Sequence, residues 1–155
     1  MEKIILSGQY ITVIETKHKL FAYIGGMMVK KIMVVDDNPD VIFSVKSGLE
    51  TVSDEFRIIG VESGEKCLEF LQTEHPDLIL LDIMMPGMSG WKTFDKIKEN
   101  EDWKKIPVVF LTARTDRVAK NAGGFLGEDY VEKPFDIKDL KGRIDKVFNT
   151  EPKEE

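Results

Sequence analysis

Asp36, Asp37, Asp82, Thr112 and Lys133 are the residues of this sequence whose types and positions suit joint chemistry. Each stands at the edge of an apolar run. Ile32-Met33-Val34-Val35 leads into Asp36-Asp37, Leu78-Ile79-Leu80-Leu81 into Asp82, and Val108-Val109-Phe110-Leu111 into Thr112, while Tyr130-Val131 precedes Lys133-Pro134. Three carboxylates held close repel one another, and a raised pKa or a hard cation relieves them. Mg²⁺ keeps several waters and is content with one or two carboxylates plus a phosphate oxygen. An ammonium and a hydroxyl at the same rim suit the remaining phosphate oxygens. The set is equipped to handle a phosphoryl group beside a divalent metal.

Each piece alone is ordinary. An Asp-Asp pair after a strand is more often a helix-capping turn than a metal site, and Lys-Pro before a helix is common punctuation. The functional reading rests on coincidence, because four separate strand ends each carry a required residue type.

The elements that must position these residues follow from periodicity. Short continuous apolar runs predict strands covered on both faces over Ile32–Val35, Phe56–Val61, Asp77–Asp82 and Pro107–Leu111, with a shorter one at Asp129–Val131. Between them, apolar residues recur at helical spacing. Asn38 and Pro39 open a first helix carrying Val41, Ile42, Val45, Leu49 and Val52. Ser63 opens one with Cys67, Leu68, Phe70 and Leu71. Pro86, Gly87, Ser89 and Gly90 form a loop and cap before Trp91, Phe94 and Ile97. A weak, glycine-interrupted helix is expected around 116–121. Asp136 caps the last helix, with Ile137, Leu140, Ile144, Val147 and Phe148 inward. Strands alternating with helices predict an α/β fold, a three-layer doubly wound sheet of five parallel strands. In such sheets ligands bind at the carboxyl ends of the strands, where the five residues stand.

The expected organisation is an extension over 1–28, a principal domain over 29–150 and an acidic tail over 151–155. In the extension, Ile4–Leu6, Tyr10–Ile14 and Leu20–Ile24 read as strands, with turns at Gly8 and Glu15–Lys19. A small β-hairpin and a start at Met28 are equally good readings of that stretch.

Composition sets the remaining bounds. The 155 residues carry 28 acidic and 22 basic side chains, a net charge of −6, with no local basic stripe. Direct DNA binding by these residues is not expected. The single cysteine, Cys67, excludes an intrachain disulfide and a thiolate metal cluster. The apolar runs are far shorter than the roughly 18 residues of a membrane helix, and no signal peptide is recognisable. A cytoplasmic protein away from the membrane is expected. His75 and His18 read as surface and turn residues.

The motifs Val34-Val35-Asp36-Asp37-Asn38-Pro39, Leu80-Leu81-Asp82-Ile83-Met84-Met85-Pro86-Gly87-Met88-Ser89-Gly90, Leu111-Thr112-Ala113-Arg114 and Asp129-Tyr130-Val131-Glu132-Lys133-Pro134-Phe135 resemble the receiver domain of two-component response regulators, the CheY-like fold. The resemblance runs from about Lys30 to Asn149 and implies strand order 2-1-3-4-5. It implies Asp82 as phosphoacceptor from a sensor histidine kinase or phosphotransfer protein. It further implies Asp37, Asp82 and the Met84 backbone carbonyl as Mg²⁺ ligands, with Asp36 acting mainly through water. Lys133 would pair with Asp82 at rest and with the phosphoryl group afterwards. Thr112 would move toward that group, and Tyr130 would change rotamer as it does.

Two departures stand out. The stretch from Thr112 to Lys133 is about one residue shorter than is common in the family, and it carries Gly123-Gly124 and Gly127 where a firmer helix would run. Met84 and Arg114 occupy the two variable positions flanking the phosphoryl group, and apolar Met84 is expected to hinder an attacking water. With only six residues after Asn149, a stand-alone receiver acting on a downstream protein is expected, with a homodimer left open.

Two other classes compete. A Mg²⁺-dependent phosphohydrolase of the haloacid dehalogenase type would want a spaced Asp-x-Asp and a cap domain, whereas Asp36 and Asp37 are adjacent. A phosphorylation-independent interaction module would not need the whole acidic set, Thr112 and Lys133.

Overall fold

Alternate residues of a strand face opposite sides of its sheet, and in the central strands of this chain both sets are apolar. Such strands need cover on both faces, and they have it. The computed structural model describes residues 2–6, 9–16, 19–24, 27–113 and 127–150. Its larger sheet has five strands, β5 (Lys30–Val35), β6 (Phe56–Val61), β7 (Leu78–Asp82), β8 (Val108–Ala113) and β9 (Asp129–Lys133), in the order β6-β5-β7-β8-β9. All pairings are parallel. Counted from β5, this is the expected order 2-1-3-4-5.

The described helices are α1 (Pro39–Val52), α2 (Gly64–Leu71), α3 (Gly90–Glu99) and α4 (Ile137–Asn149). Met33, Val35, Ile79 and Leu81 pack with Cys67, Leu71, Phe94 and Ile97 of α2 and α3. Ile32, Val34, Leu78 and Leu80 pack on the other face with Val45, Leu49, Leu140 and Ile144 of α1 and α4. Adjacent residues of one strand thus serve two separate cores, which makes β5 and β7 the rigid centre of the molecule.

All four described helices start at the expected caps. Asn38 accepts from the Asp40 N–H at 2.9 Å and Ser63 from Lys66 N–H at 3.1 Å. Ser89 accepts from Lys92 N–H at 3.3 Å, and Asp136 from both Lys138 and Asp139 N–H. Each such cap contributes about 1 kcal/mol.

Several strand boundaries differ from the sequence reading, and β5 begins two residues early, at Lys30. Asp77 lies before β7, where its carboxylate accepts from Lys31 N–H. β8 runs on to Ala113, and β9 to Lys133. Thr112 and Lys133 are therefore strand residues paired in register (Thr112 with Glu132, Ala113 with Lys133) rather than loop residues.

Upstream, β1 (Glu2–Leu6), β2 (Gln9–Thr16), β3 (Lys19–Ile24) and β4 (Met27–Met28) form a separate four-stranded antiparallel sheet in sequential order. This exceeds the expected hairpin. Glu15 and Thr16, read as a turn, pair with Leu20 and Lys19 instead. The expected helix around 116–121 lies outside the described residues, as do Arg114, Gly123 and Gly124.

Candidate phosphoryl and metal site

β5, β7 and β9 deliver their chemical residues to one edge of the sheet. Asp36 follows β5 directly, Asp82 is the last residue of β7, and Lys133 the last of β9. Carboxylate oxygens of Asp36, Asp37 and Asp82 lie within 4.8 Å of one another. The Lys133 ammonium bridges two of them, donating to Asp36 Oδ2 at 2.5 Å and to Asp82 Oδ1 at 3.2 Å. The resemblance had Lys133 pairing with Asp82; in the structure it lies nearer Asp36. The following Lys133–Pro134 peptide is cis.

The three carboxylates are not equivalent. Asp36 is 1% exposed, and its second oxygen accepts from the Asn38 N–H at 2.9 Å. Both its oxygens are thus engaged by the protein. Asp37 is exposed. Asp82 is buried, and this burial raises its carboxyl pKa above the ordinary aspartate value. The Lys133 charge works the other way, while the Asp36 and Asp37 charges add to the rise.

Three carboxylates against one ammonium leave an excess of negative charge in a partly desolvated place, which a hard cation relieves. Oxygen donors in this number suit Mg²⁺ with retained waters. Among the described residues, Asp36 has both oxygens held, by Asn38 and Lys133, and Asp82 one, by Lys133.

Thr112 is buried in β8, one position beyond Leu111, the register partner of Asp82. Tyr130 is half-buried in β9, its ring stacked on Phe110 with centroids 5.1 Å apart. Phe110 also meets Trp91 at 4.7 Å and Phe94 at 5.1 Å. The Tyr130 hydroxyl is buried and, among the described residues, makes no hydrogen bond of ordinary geometry. Burial raises its pKa above the ordinary tyrosine value, the nearby Gly127 backbone acting the other way. Met84, two residues past Asp82, is 68% exposed. Of the other residues with reactive side chains, Cys67 is buried with its thiol pushed up to about 12, and His75 is exposed.

Two contributors were not legible in the sequence. Asn38 was read only as a helix cap, yet its N–H also holds Asp36; the geometry of the turn decides this. Phe110 was read as a buried strand residue, and nothing in its type announces that Tyr130 stacks on it.

Residues 32–145 match the family model of the response regulator receiver domain. The chain is 36% identical over 126 residues to the transcriptional regulatory protein CrdR of Helicobacter pylori, covering 81% of this chain and 58% of that protein. It is 42% identical over 114 residues to a Vibrio cholerae protein named, with the qualifier probable, a cyclic di-GMP phosphodiesterase; the match covers 73% of this chain and 25% of that one. The chain spans about half the length of most of the curated relatives it matches. Among solved structures, the N-terminal domain of a response regulator receiver protein from Methanoculleus marisnigri is 40% identical with a TM-score of 0.60, covering 78% of this chain and 98% of that one. A CheY-like receiver domain protein from Methanospirillum hungatei is 35% identical with a TM-score of 0.63, covering 76% and 94%. Among the described residues, no helix is long and apolar enough to cross a membrane.

Proposed function

The chain belongs to the response regulator receiver family, whose members are signalling switches of two-component systems, and on that premise we propose that Asp82 is its phosphoacceptor in a Mg²⁺-dependent phosphorelay. The observation that carries the reading is the Lys133 ammonium bridging Asp36 and Asp82 within a cluster of three carboxylates. An Asp82 oxygen attacks the phosphorus of a phosphohistidine on a sensor kinase or phosphotransfer protein. An O–P bond forms as the N–P bond breaks, and the imidazole leaves to regain a proton.

Phosphoryl transfer asks for positioning and charge neutralisation more than for covalent help. β7 holds Asp82 at a fixed depth, Lys133 offers a positive charge to the incoming oxygens, and Thr112, one register step beyond the strand partner of Asp82, would bring a hydroxyl to donate. Asp37, Asp82 and the Met84 carbonyl would hold Mg²⁺, with Asp36 behind them, and the ion would supply additional neutralisation of phosphoryl oxygens.

The conformational consequence is electrostatic. Phosphorylation adds about −1.5 to −2 charge and new acceptor oxygens. Only an arrangement with Thr112 and Lys133 drawn toward them satisfies those oxygens, so the modification biases an existing equilibrium. Moving it from 1:99 to 99:1 takes about 5.5 kcal/mol, within reach of several charge-assisted hydrogen bonds. Tyr130, stacked on Phe110, would change rotamer as Thr112 moves. The switched state would then regulate a partner protein. The net charge of −6 supports contact with protein rather than DNA by these 155 residues.

Intact-mass spectrometry after incubation with acetyl phosphate and Mg²⁺ tests this. One added phosphoryl group is expected in the wild type and none in Asp82→Asn. Equal labelling of both would move the acceptor elsewhere. Catalytic turnover of a small phosphate ester would favour the phosphohydrolase.

A further inference from the structure

The loop after Asp82 is closed by a residue with no side chain. α3 begins at Gly90, whose N–H donates to the Ile83 carbonyl at 2.9 Å. A methyl group on Gly90 would stand 2.2 Å from the Asp82 carbonyl oxygen, 2.7 Å from Ile83 Cα and 2.9 Å from the Asp82 carbonyl carbon. All three are backbone atoms, so no rotamer change makes room. Nor does conformation demand glycine here. Gly87 of the same loop has a φ of +74° and only the Glu65 carboxylate nearby, at 3.4 Å, whereas Gly90 lies outside the left-handed region. Closeness to the acceptor backbone is what Gly90 supplies.

We propose that Gly90 is a positioning residue for phosphoryl transfer, seating the start of α3 on the Asp82–Ile83 backbone. The seat fixes two things at once: the line along which the Asp82 carboxylate meets Asp36 and Lys133, and the direction in which the chain continues to the Met84 carbonyl. This rests on the reading of Asp82 as acceptor and of Met84 as a backbone ligand. A misplacement of about 1 Å costs roughly a hundredfold where reacting atoms must align, and a methyl at 2.2 Å forces a displacement of that order.

The test compares Gly90→Ala with Gly48→Ala in the full chain. A methyl at Gly48 has the Ile137 side chain as its nearest neighbour, at 2.6 Å, across the contact between α1 and α4, so it perturbs packing away from the acceptor. Three readouts are taken: thermal midpoint, Mg²⁺ dissociation constant by calorimetry, and the rate of labelling by acetyl phosphate. Gly90→Ala is expected to weaken Mg²⁺ binding tenfold or more and to slow labelling at least as much, with Gly48→Ala within twofold of wild type in both. A folded Gly90→Ala with wild-type Mg²⁺ affinity and labelling rate overturns the proposal. Should Gly90→Ala fail to fold, wild-type amide exchange decides. Saturating Mg²⁺ is expected to slow the Gly90 N–H as much as it slows the most protected core amides, since any opening that unseats Gly90 also loses the ion, and clearly smaller slowing overturns the proposal. A wild type that neither binds Mg²⁺ nor accepts a phosphoryl group sinks the parent reading instead, whatever Gly90→Ala does.

Discussion

At Met84 the proposed phosphorylation of Asp82 leads to a prediction about how long the modified state would last. Met84 projects 68% exposed from the loop that follows Asp82, with a thioether that donates no proton and accepts only weakly. A phosphoaspartate formed at Asp82 is lost when water attacks the phosphorus, and an apolar group over the approach leaves that water without a partner. Met84→Asn puts an amide in the same place, able to hold the attacking water by a hydrogen bond. Shortening of the phosphoaspartate lifetime by several-fold is expected, read as the decay of the +phosphoryl mass species after donor removal. An unchanged or lengthened lifetime refutes the assignment. Residue types alone pointed to Asp36, Asp37, Asp82, Thr112 and Lys133, because phosphate and Mg²⁺ chemistry admits few side chains. Types could not say how the ammonium divides itself between Asp36 and Asp82. That depends on where β9 ends, and the sequence placed the end two residues early.

The elements explain which parts of the fold were readable. β5 and β7 are apolar on both faces, and no helical stripe fits that pattern, so their burial and the parallel sheet followed from the sequence. The ends of β8 and β9 did not follow, since Thr112 and Glu132 are polar residues held in strands by pairing with each other. The first 28 residues were hardest. A meander of short strands has its register set by turns rather than by a buried face, and the turn at Glu15–Thr16 proved to be strand. Glycines inside helices were equally opaque. Gly48 and Gly142 look alike in sequence, yet a methyl at Gly48 would stand 2.6 Å from Ile137 while one at Gly142 meets nothing within 4 Å. Gly142→Ala is therefore expected to stabilise the protein by about 0.5–1 kcal/mol through helix propensity alone. Gly48→Ala should gain less or destabilise, because Ile137 must move. Denaturant midpoints at constant m-value check both, and a destabilised Gly142→Ala would mean that its face of α4 is covered by something that needs the space.

At the scale of the whole molecule, burying the Asp82 carboxylate costs stability that a bound Mg²⁺ would offset. Asp82 is buried with its pKa raised chiefly by desolvation, so the folded state prefers this carboxyl protonated. A group with a raised folded pKa contributes its stability below the unfolded value, about 3.9 for aspartate, and loses it as pH rises through the folded value. Wherever Asp82 is ionised, its charge is thus a net liability to the folded state. Asp82→Asn, neutral at every pH, is expected to be the more stable protein at pH 7 without Mg²⁺, read as a higher Tm. The advantage should vanish in acid, where the wild-type carboxyl is also neutral. Mg²⁺ reverses the order. An ion that binds only the folded state adds about 2.7 kcal/mol at a hundred times its dissociation constant, and a site missing one carboxylate gains much less. Thermal melts of both proteins, with EDTA and with Mg²⁺ at pH 7, should therefore cross: Asp82→Asn melts higher in EDTA, wild type higher in Mg²⁺. Equal Mg²⁺ shifts in the two proteins would separate the metal from Asp82. A lower melt for Asp82→Asn in EDTA would mean that the bond from Lys133 outweighs the cost of burying the charge.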